Sequence, residues 1–301
     1  MARENLSSEI GLYSRALLLC KPYWELTKPR ITLLCIIMAL GGVGLAPGRA
    51  NFFTLVCSLL GTALSVGSAN ALNMYWEREG DKLMKRTRGR PLPSGRISAN
   101  SALVFGVLIG ILSIVILALF VNITTALLGV FALVSYVGIY TPMKRRSPLA
   151  LLIGAVPGAI PPLMGWTTVT NSIDSPGLVL FLILLVWQIP HFLAIALYHK
   201  ADYAAAGIKT VPVVRGDYNA KVQAFVYSLS LIPISLLLVP LGVASWIYFS
   251  VALVLGVWFT LLSLKGFKSE QNSKWARSFF LASLVYLPVL TLGLMIDMVL
   301  K

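Results

Sequence analysis

The sequence predicts an all-α bundle of about nine membrane-spanning helices. Three observations predict it. Hydrophobic residues make up 57% of the 301 residues and charged residues only 12%. Apolar runs of roughly 20 residues recur along the chain, the length that crosses a hydrocarbon core of about 30 Å. The acids and bases fall almost entirely between those runs. Strands of an outer-membrane barrel would alternate apolar and polar residues, and these runs do not. A chain so filled with spans leaves no sizeable soluble domain. Residues 1–301 are expected to form one integral-membrane domain, with residues 1–25 as a cytoplasmic tail.

That tail is polar, and so unlike a secretory signal. Glu4 and Glu9 interrupt it where a mitochondrial transit segment would lack acids. A bacterial inner membrane is the expected location. Spans are predicted at roughly 30–48, 52–76, 100–119, 122–141, 148–168, 177–198, 220–240, 243–264 and 277–299. The third and fourth touch at Val121-Asn122, and the seventh and eighth are split by Gly242, so each pair must turn as a tight hairpin. Cys20, Cys35 and Cys57 show no metal-ligand spacing and no evident pairing, which makes them free thiols.

The net charge of +14 would suit nucleic acid, but its distribution suits a membrane. Of the 25 Lys and Arg residues, 23 lie in the tail and in the loops after spans two, four, six and eight, leaving Arg49 and Lys301 for the other face. Positive residues mark the cytoplasmic side, so the N-terminus is expected inside and the C-terminus outside, which needs an odd number of spans. No nucleic-acid partner is expected.

Five constellations on this framework carry chemistry. Asn73, Glu77 and Asp81 sit four apart at the end of span two, hence near one helical face, with Asn70 a turn earlier. The basic run Lys82 to Arg96 follows. A solvated helix end would also tolerate these acids. Oxygen ligands beside clustered cations suit a divalent metal, above all Mg²⁺, holding a phosphate. Asp202, in the stretch Tyr198 to Tyr203, leaves span six on the same face and offers a second carboxylate; an ordinary loop acid is the plain alternative. In Tyr140 to Ser147, a positive-inside loop, Lys144 lies four residues after Tyr140 and reaches a phosphate alongside it. Trp187 to Phe192 puts His191 and Pro190 inside span six, where a histidine is either hydrogen-bonded between helices or lines a cavity. The stretch Gly154 to Pro162 has small residues for close packing and prolines expected to break the span around a bulky ligand.

Taken together these segments resemble the UbiA superfamily of intramembrane prenyltransferases, and within it the branch that farnesylates protoheme IX. The residues that carry the resemblance are Leu26-Thr27-Lys28-Pro29-Arg30, Asn73 to Asp81, Arg86-Thr87, Arg90-Pro91-Leu92, Tyr140-Thr141 and Lys144-Arg145. Pro157-Gly158-Ala159, Pro161-Pro162-Leu163, Trp187 to Phe192, Asp202-Tyr203 and Pro212-Val213-Val214 follow in order. Two positions depart from the superfamily pattern: Glu77 stands where Asp is usual, and Tyr198 stands four before Asp202 where an acid is usual.

The resemblance implies a UbiA-type bundle and a set of roles. Asn73, Glu77, Asp81 and Asp202 would hold Mg²⁺ on farnesyl diphosphate. Lys28, Arg90 and Lys144 would take up the leaving diphosphate's charge. Arg30, Arg86, Tyr140, Arg145, Tyr198 and Tyr203 would complete the substrate contacts, with Trp187 and His191 facing the heme. Heme enters as substrate rather than cofactor, and its farnesylated, hydrated form, heme O, leaves. The bilayer is the remaining partner, together with a heme A synthase or terminal-oxidase assembly. Two other readings share the acids: prenyl transfer to a quinone precursor or chlorophyllide, and transport of an anionic or phosphorylated lipid. A transporter would place its polar site near the midplane, at broken helices; here the acids sit at one interface.

Overall fold

The computed structural model describes residues 20–269 and 271–300; residues 1–19 of the expected tail, with Glu4 and Glu9, and Lys301 lie outside them. Long helices occupy all nine expected places. They are α2 (Pro29–Leu45), α3 (Phe52–Asp81), α4 (Ala99–Phe120), α5 (Ile123–Val134) with its extension to Met143, α7 (Ala150–Thr170), α8 (Ser175–Tyr198), α11 (Gly216–Leu236), α12 (Trp246–Lys265) and α13 (Asn272–Leu300). Short helices fill the joints: α1 (Cys20–Leu26) before α2, α6 (Thr141–Met143) at the end of the fourth span, and α9 (Lys200–Ala205) and α10 (Val211–Val214) between α8 and α11.

Among the described residues seven helices are long and apolar enough to cross a membrane, and the bent pair α1–α2, with 52° between its halves, makes an eighth. The count therefore falls one short of the expected nine. The expected seventh span, α11, is the shortfall: Asp217, Asn219, Lys221 and Gln223 load its first turns.

Local sequence sets the helix starts. Asn51, Ser98, Asn122, Asp174 and Ser245 stand one residue before α3, α4, α5, α8 and α12, and each accepts a backbone N–H of the first turn. Asn122, at the first expected hairpin, caps α5 and donates Nδ2 to the Thr167 carbonyl of α7 at 2.8 Å. Gly242, at φ 72°, turns α11 into α12.

The small-residue stretch works by packing. Contrary to expectation its prolines do not break the span: α7 runs through Pro157, Pro161 and Pro162 without interruption. Gly42 of α2 lies against the Pro162 carbonyl, and Gly165 of α7 against the Ala39 carbonyl; a Cβ at either would collide with backbone. Glycine there lets α2 and α7 touch main chain to main chain. The core is built around α8, which packs on α7, α11 and α13.

At 30 residues, α3 is about 45 Å long. That exceeds a hydrocarbon core of about 30 Å, so α3 is longer than a crossing requires.

Candidate active site at the end of helix α3

The last three turns of α3 hold Asn73, Glu77 and Asp81 inside the protein. Asn73 is 1% exposed and Asp81 0%. Burying such groups is costly unless each finds a partner, and each does, from a different segment. Lys28 comes from the α1–α2 joint and donates Nζ to Asn73 Oδ1 at 3.3 Å. Its backbone is left-handed, φ 48° and ψ 66°, an unfavourable state for a residue with a Cβ. The joint holds that strain and aims the ammonium at α3. Lys144 comes from the end of the fourth span and pairs with Glu77 Oε1 at 2.7 Å. Arg90, from the basic run, pairs with Asp81 Oδ2 at 2.7 Å.

The surrounding groups fix these partners. Lys144 Nζ stands 4.5 Å over the Tyr140 ring, and its carbonyl accepts the Lys209 N–H at 2.9 Å. The Thr87 hydroxyl donates to the Asp81 carbonyl at 2.9 Å, which folds the basic run back on α3. Gly80 makes room for the Arg145 guanidinium, and Gly154 for the Tyr140 ring; a Cβ at either would collide. Gly154→Ala should therefore shift Tyr140 and Lys144 and slow turnover by about tenfold or more, since displacements near 1 Å are that costly at reacting centres. Steady-state turnover in membranes checks this, and unchanged turnover would show that Tyr140 tolerates the shift.

The ion pairs leave oxygen capacity unused. Among the described residues Asp81 Oδ1 is buried with no hydrogen bond, and Glu77 Oε1 meets the Lys144 ammonium at 2.7 Å. With Asn73 Oδ1 these are oxygen donors only, a set suited to a hard cation. Among the described residues no three His, Cys, Asp or Glu side chains converge into a ready-made cage. The donor set nevertheless fits Mg²⁺, which commonly takes one or two carboxylates and completes its shell with phosphates and water.

The other expected residues fall into three groups. Asp202 and Tyr203 stand on α9, separate from α3. Asp202 lies 3.7 Å from His199 Nδ1. Burial and the nearby Arg86 charge lower the His199 pKa from its ordinary 6.5, against the pull of Asp202. Arg30, Arg86 and Tyr198 are exposed, and the two arginines make no side-chain hydrogen bond or ion pair among the described residues. Trp187 and His191 are tied to α13: Trp187 Nε1 donates to the Ser283 carbonyl at 3.0 Å, and His191 Nδ1 bonds the Ser283 hydroxyl at 2.7 Å. Their rings stack at 4.8 Å. The interhelical alternative for His191 is thus realised through Nδ1.

Sequence reasoning missed two features. Residues Ser135–Tyr140 form a π-helical stretch, a widening often found at functional sites. Pro142, which cannot donate a helical N–H, was its signal. Thr141 was quoted only as part of a motif, yet it is 4% exposed and bonded to Asn73.

The UbiA prenyltransferase family profile matches residues 35–284. A protoheme IX farnesyltransferase of Myxococcus xanthus (strain DK1622) is 48% identical over 275 residues, covering 91% of this chain and 94% of the relative. One from Sorangium cellulosum (strain So ce56) is 50% identical over 242 residues, covering 80% and 86%. Among solved structures, one reported for digeranylgeranylglyceryl phosphate synthase has a TM-score of 0.79 at 18% identity, covering 93% of this chain and 98% of that one. A UbiA homolog from Archaeoglobus fulgidus bound to GPP and Mg²⁺ has a TM-score of 0.67 at 16% identity, covering 91% and 99%. These structures share the fold. The chain belongs to the UbiA prenyltransferase family, and its close relatives are protoheme IX farnesyltransferases.

Proposed function

We propose that this family member transfers the farnesyl group of farnesyl diphosphate to a vinyl group of protoheme IX, with addition of water, releasing diphosphate and giving heme O. The observation that carries the reading is the end of α3: two inward carboxylates, each paired with a cation from another segment and each keeping oxygen capacity for a metal. The named relatives, similar along nearly the whole chain, support heme as the acceptor.

Asn73, Glu77 and Asp81 would hold Mg²⁺ together with Asp202 of α9. When bound, Mg²⁺ neutralises charge on the departing diphosphate. Lys28, Arg90 and Lys144 are placed to take up the rest of that charge. As the C–O bond to diphosphate breaks, the allylic carbon is left electron-poor, and the vinyl π-electrons form the new C–C bond. The carbon next to the heme ring then takes hydroxide from water, and one proton is released. Lys144 is held between the Glu77 carboxylate and the Tyr140 ring, which fixes where its charge stands. Arg30, Arg86, Arg145, Tyr198 and Tyr203 surround this end of the bundle as diphosphate and surface contacts. Trp187 and His191 are proposed heme contacts; with Nδ1 held by Ser283, the second ring nitrogen of His191 is the one that faces substrate.

The chain acts as one domain over residues 1–301 in a bacterial inner membrane, with the 21-residue α11 crossing as a ninth, more polar helix, the N-terminus cytoplasmic and the C-terminus outside. That orientation puts the α3 end on the side that carries 23 of the 25 basic residues. A heme A synthase or oxidase-assembly factor would receive the product.

Mass spectrometry of hemes from membranes expressing the chain tests the reaction. A heme heavier by one hydroxyethylfarnesyl group is the expected product. A prenylated quinone precursor or chlorophyllide in its place overturns the acceptor assignment, and unaltered heme with labelled lipid crossing the membrane would favour a transporter.

A further inference from the structure

Thr141 sits between the π-helical stretch and Asn73, and its hydroxyl has one proton to give. That hydroxyl lies 2.8 Å from the Tyr136 carbonyl, an atom that can only accept. The same carbonyl takes the Thr141 backbone N–H, the five-residue bond that closes the π stretch. The hydroxyl proton is therefore committed, and Oγ1 can offer its neighbour only a lone pair. Asn73 Nδ2 is 3.1 Å away and donates to it. The other end of the amide, Oδ1, is then turned the opposite way, where it accepts from Lys28 at 3.3 Å.

Reversing the amide would set two proton-free oxygens against each other at Thr141 and an NH₂ against the Lys28 ammonium. Neither arrangement can be repaired by water, because Asn73 is 1% exposed and Thr141 4%. An amide oxygen is a ligand for a hard cation, and an amide NH₂ is not.

We infer that Thr141 is a positioning residue: its committed hydroxyl fixes the Asn73 amide so that oxygen, not nitrogen, faces the metal and diphosphate. The inference rests on the metal–diphosphate reading above. It also gives the π stretch a task, since the widened turn brings the Tyr136 carbonyl within reach of the hydroxyl.

The test is binding of Mn²⁺, as a visible substitute for Mg²⁺, in the presence of a non-reacting thiolo analogue of farnesyl diphosphate, with free Mn²⁺ read by electron paramagnetic resonance. Thr141→Val should weaken Mn²⁺ binding by about tenfold or more, the usual effect of losing a group that orients a ligand. Thr141→Ser should bind as the parent does. In an Asn73→Asp background, where both ends of the side chain are oxygen, Thr141→Val should cause no further loss. Thr141→Ala, which removes the hydroxyl and adds no bulk, takes the place of Val if the latter fails to elute as folded protein. Parent-like binding by the variant lacking the hydroxyl overturns the assignment. So does an equal loss in the Asn73→Asp background, which would mean a packing role. If the parent itself binds no Mn²⁺ with the analogue, the metal–diphosphate reading fails, and this inference with it.

Discussion

Asp81→Asn is expected to cut farnesyl transfer by on the order of 10³-fold or more, because the charge that opposes Arg90 and serves the metal is lost together. Asp81 is 0% exposed, and its only ion-pair partner among the described residues is Arg90 at 2.7 Å. Removing one member of a buried pair strands the other. For fully buried pairs that costs about 3–5 kcal/mol, and about 2 kcal/mol is expected here because the Arg90 side chain is 21% exposed. The variant should therefore be less stable as well as inactive, and the two effects must be separated. Adding Arg90→Gln should recover much of the thermal stability in detergent, since no unpaired charge remains, while activity stays lost. Recovery of activity in the double variant would mean that Asp81 serves only to hold Arg90. Near-normal heme O from the single variant would reject its role at the metal.

The acids were legible in the sequence because helical periodicity is a local rule. Asn73, Glu77 and Asp81 at four-residue spacing must share a face whatever surrounds them. The cations that answer them were legible only as a pool. Nothing local says that Arg90 reaches Asp81 while Arg96 instead grips Glu25 at 2.7 and 2.9 Å. Those choices follow from how the basic run folds back, to which the bond from Thr87 to the Asp81 carbonyl contributes. The partner of Trp187 and His191 was invisible for a similar reason: Ser283 lies in α13, about 90 residues away and without a motif of its own. The misread prolines show the opposite limit. Their local tendency to interrupt a helix is outweighed in α7 by close packing against α2. The count by apolarity falls one short of nine where charge and apolarity share one helix, as Asp217 and Lys221 do at the start of α11.

The second large effect is expected at Lys144. Its ammonium touches Glu77 at 2.7 Å and stands 4.5 Å over the Tyr140 ring, with both ends of the ion pair about one-fifth exposed. Lys144→Met keeps most of the apolar stem and removes the charge. Turnover should fall by about 10²–10³-fold, the scale of losing one preorganised group that meets a developing anion. Mn²⁺ binding in the absence of any diphosphate should not weaken, because Glu77 loses a competing cation. That split separates a group that receives the diphosphate from one that merely holds Glu77 in place: in the second case metal binding and turnover would fall together. Lys144→Arg provides the control on geometry. Arginine keeps the charge, but its planar fork is wider than an ammonium and cannot occupy the same point between carboxylate and ring. It should recover only part of the lost turnover. Full activity with arginine would show that a positive charge anywhere near Glu77 suffices, and that the Tyr140 ring has no part in placing it.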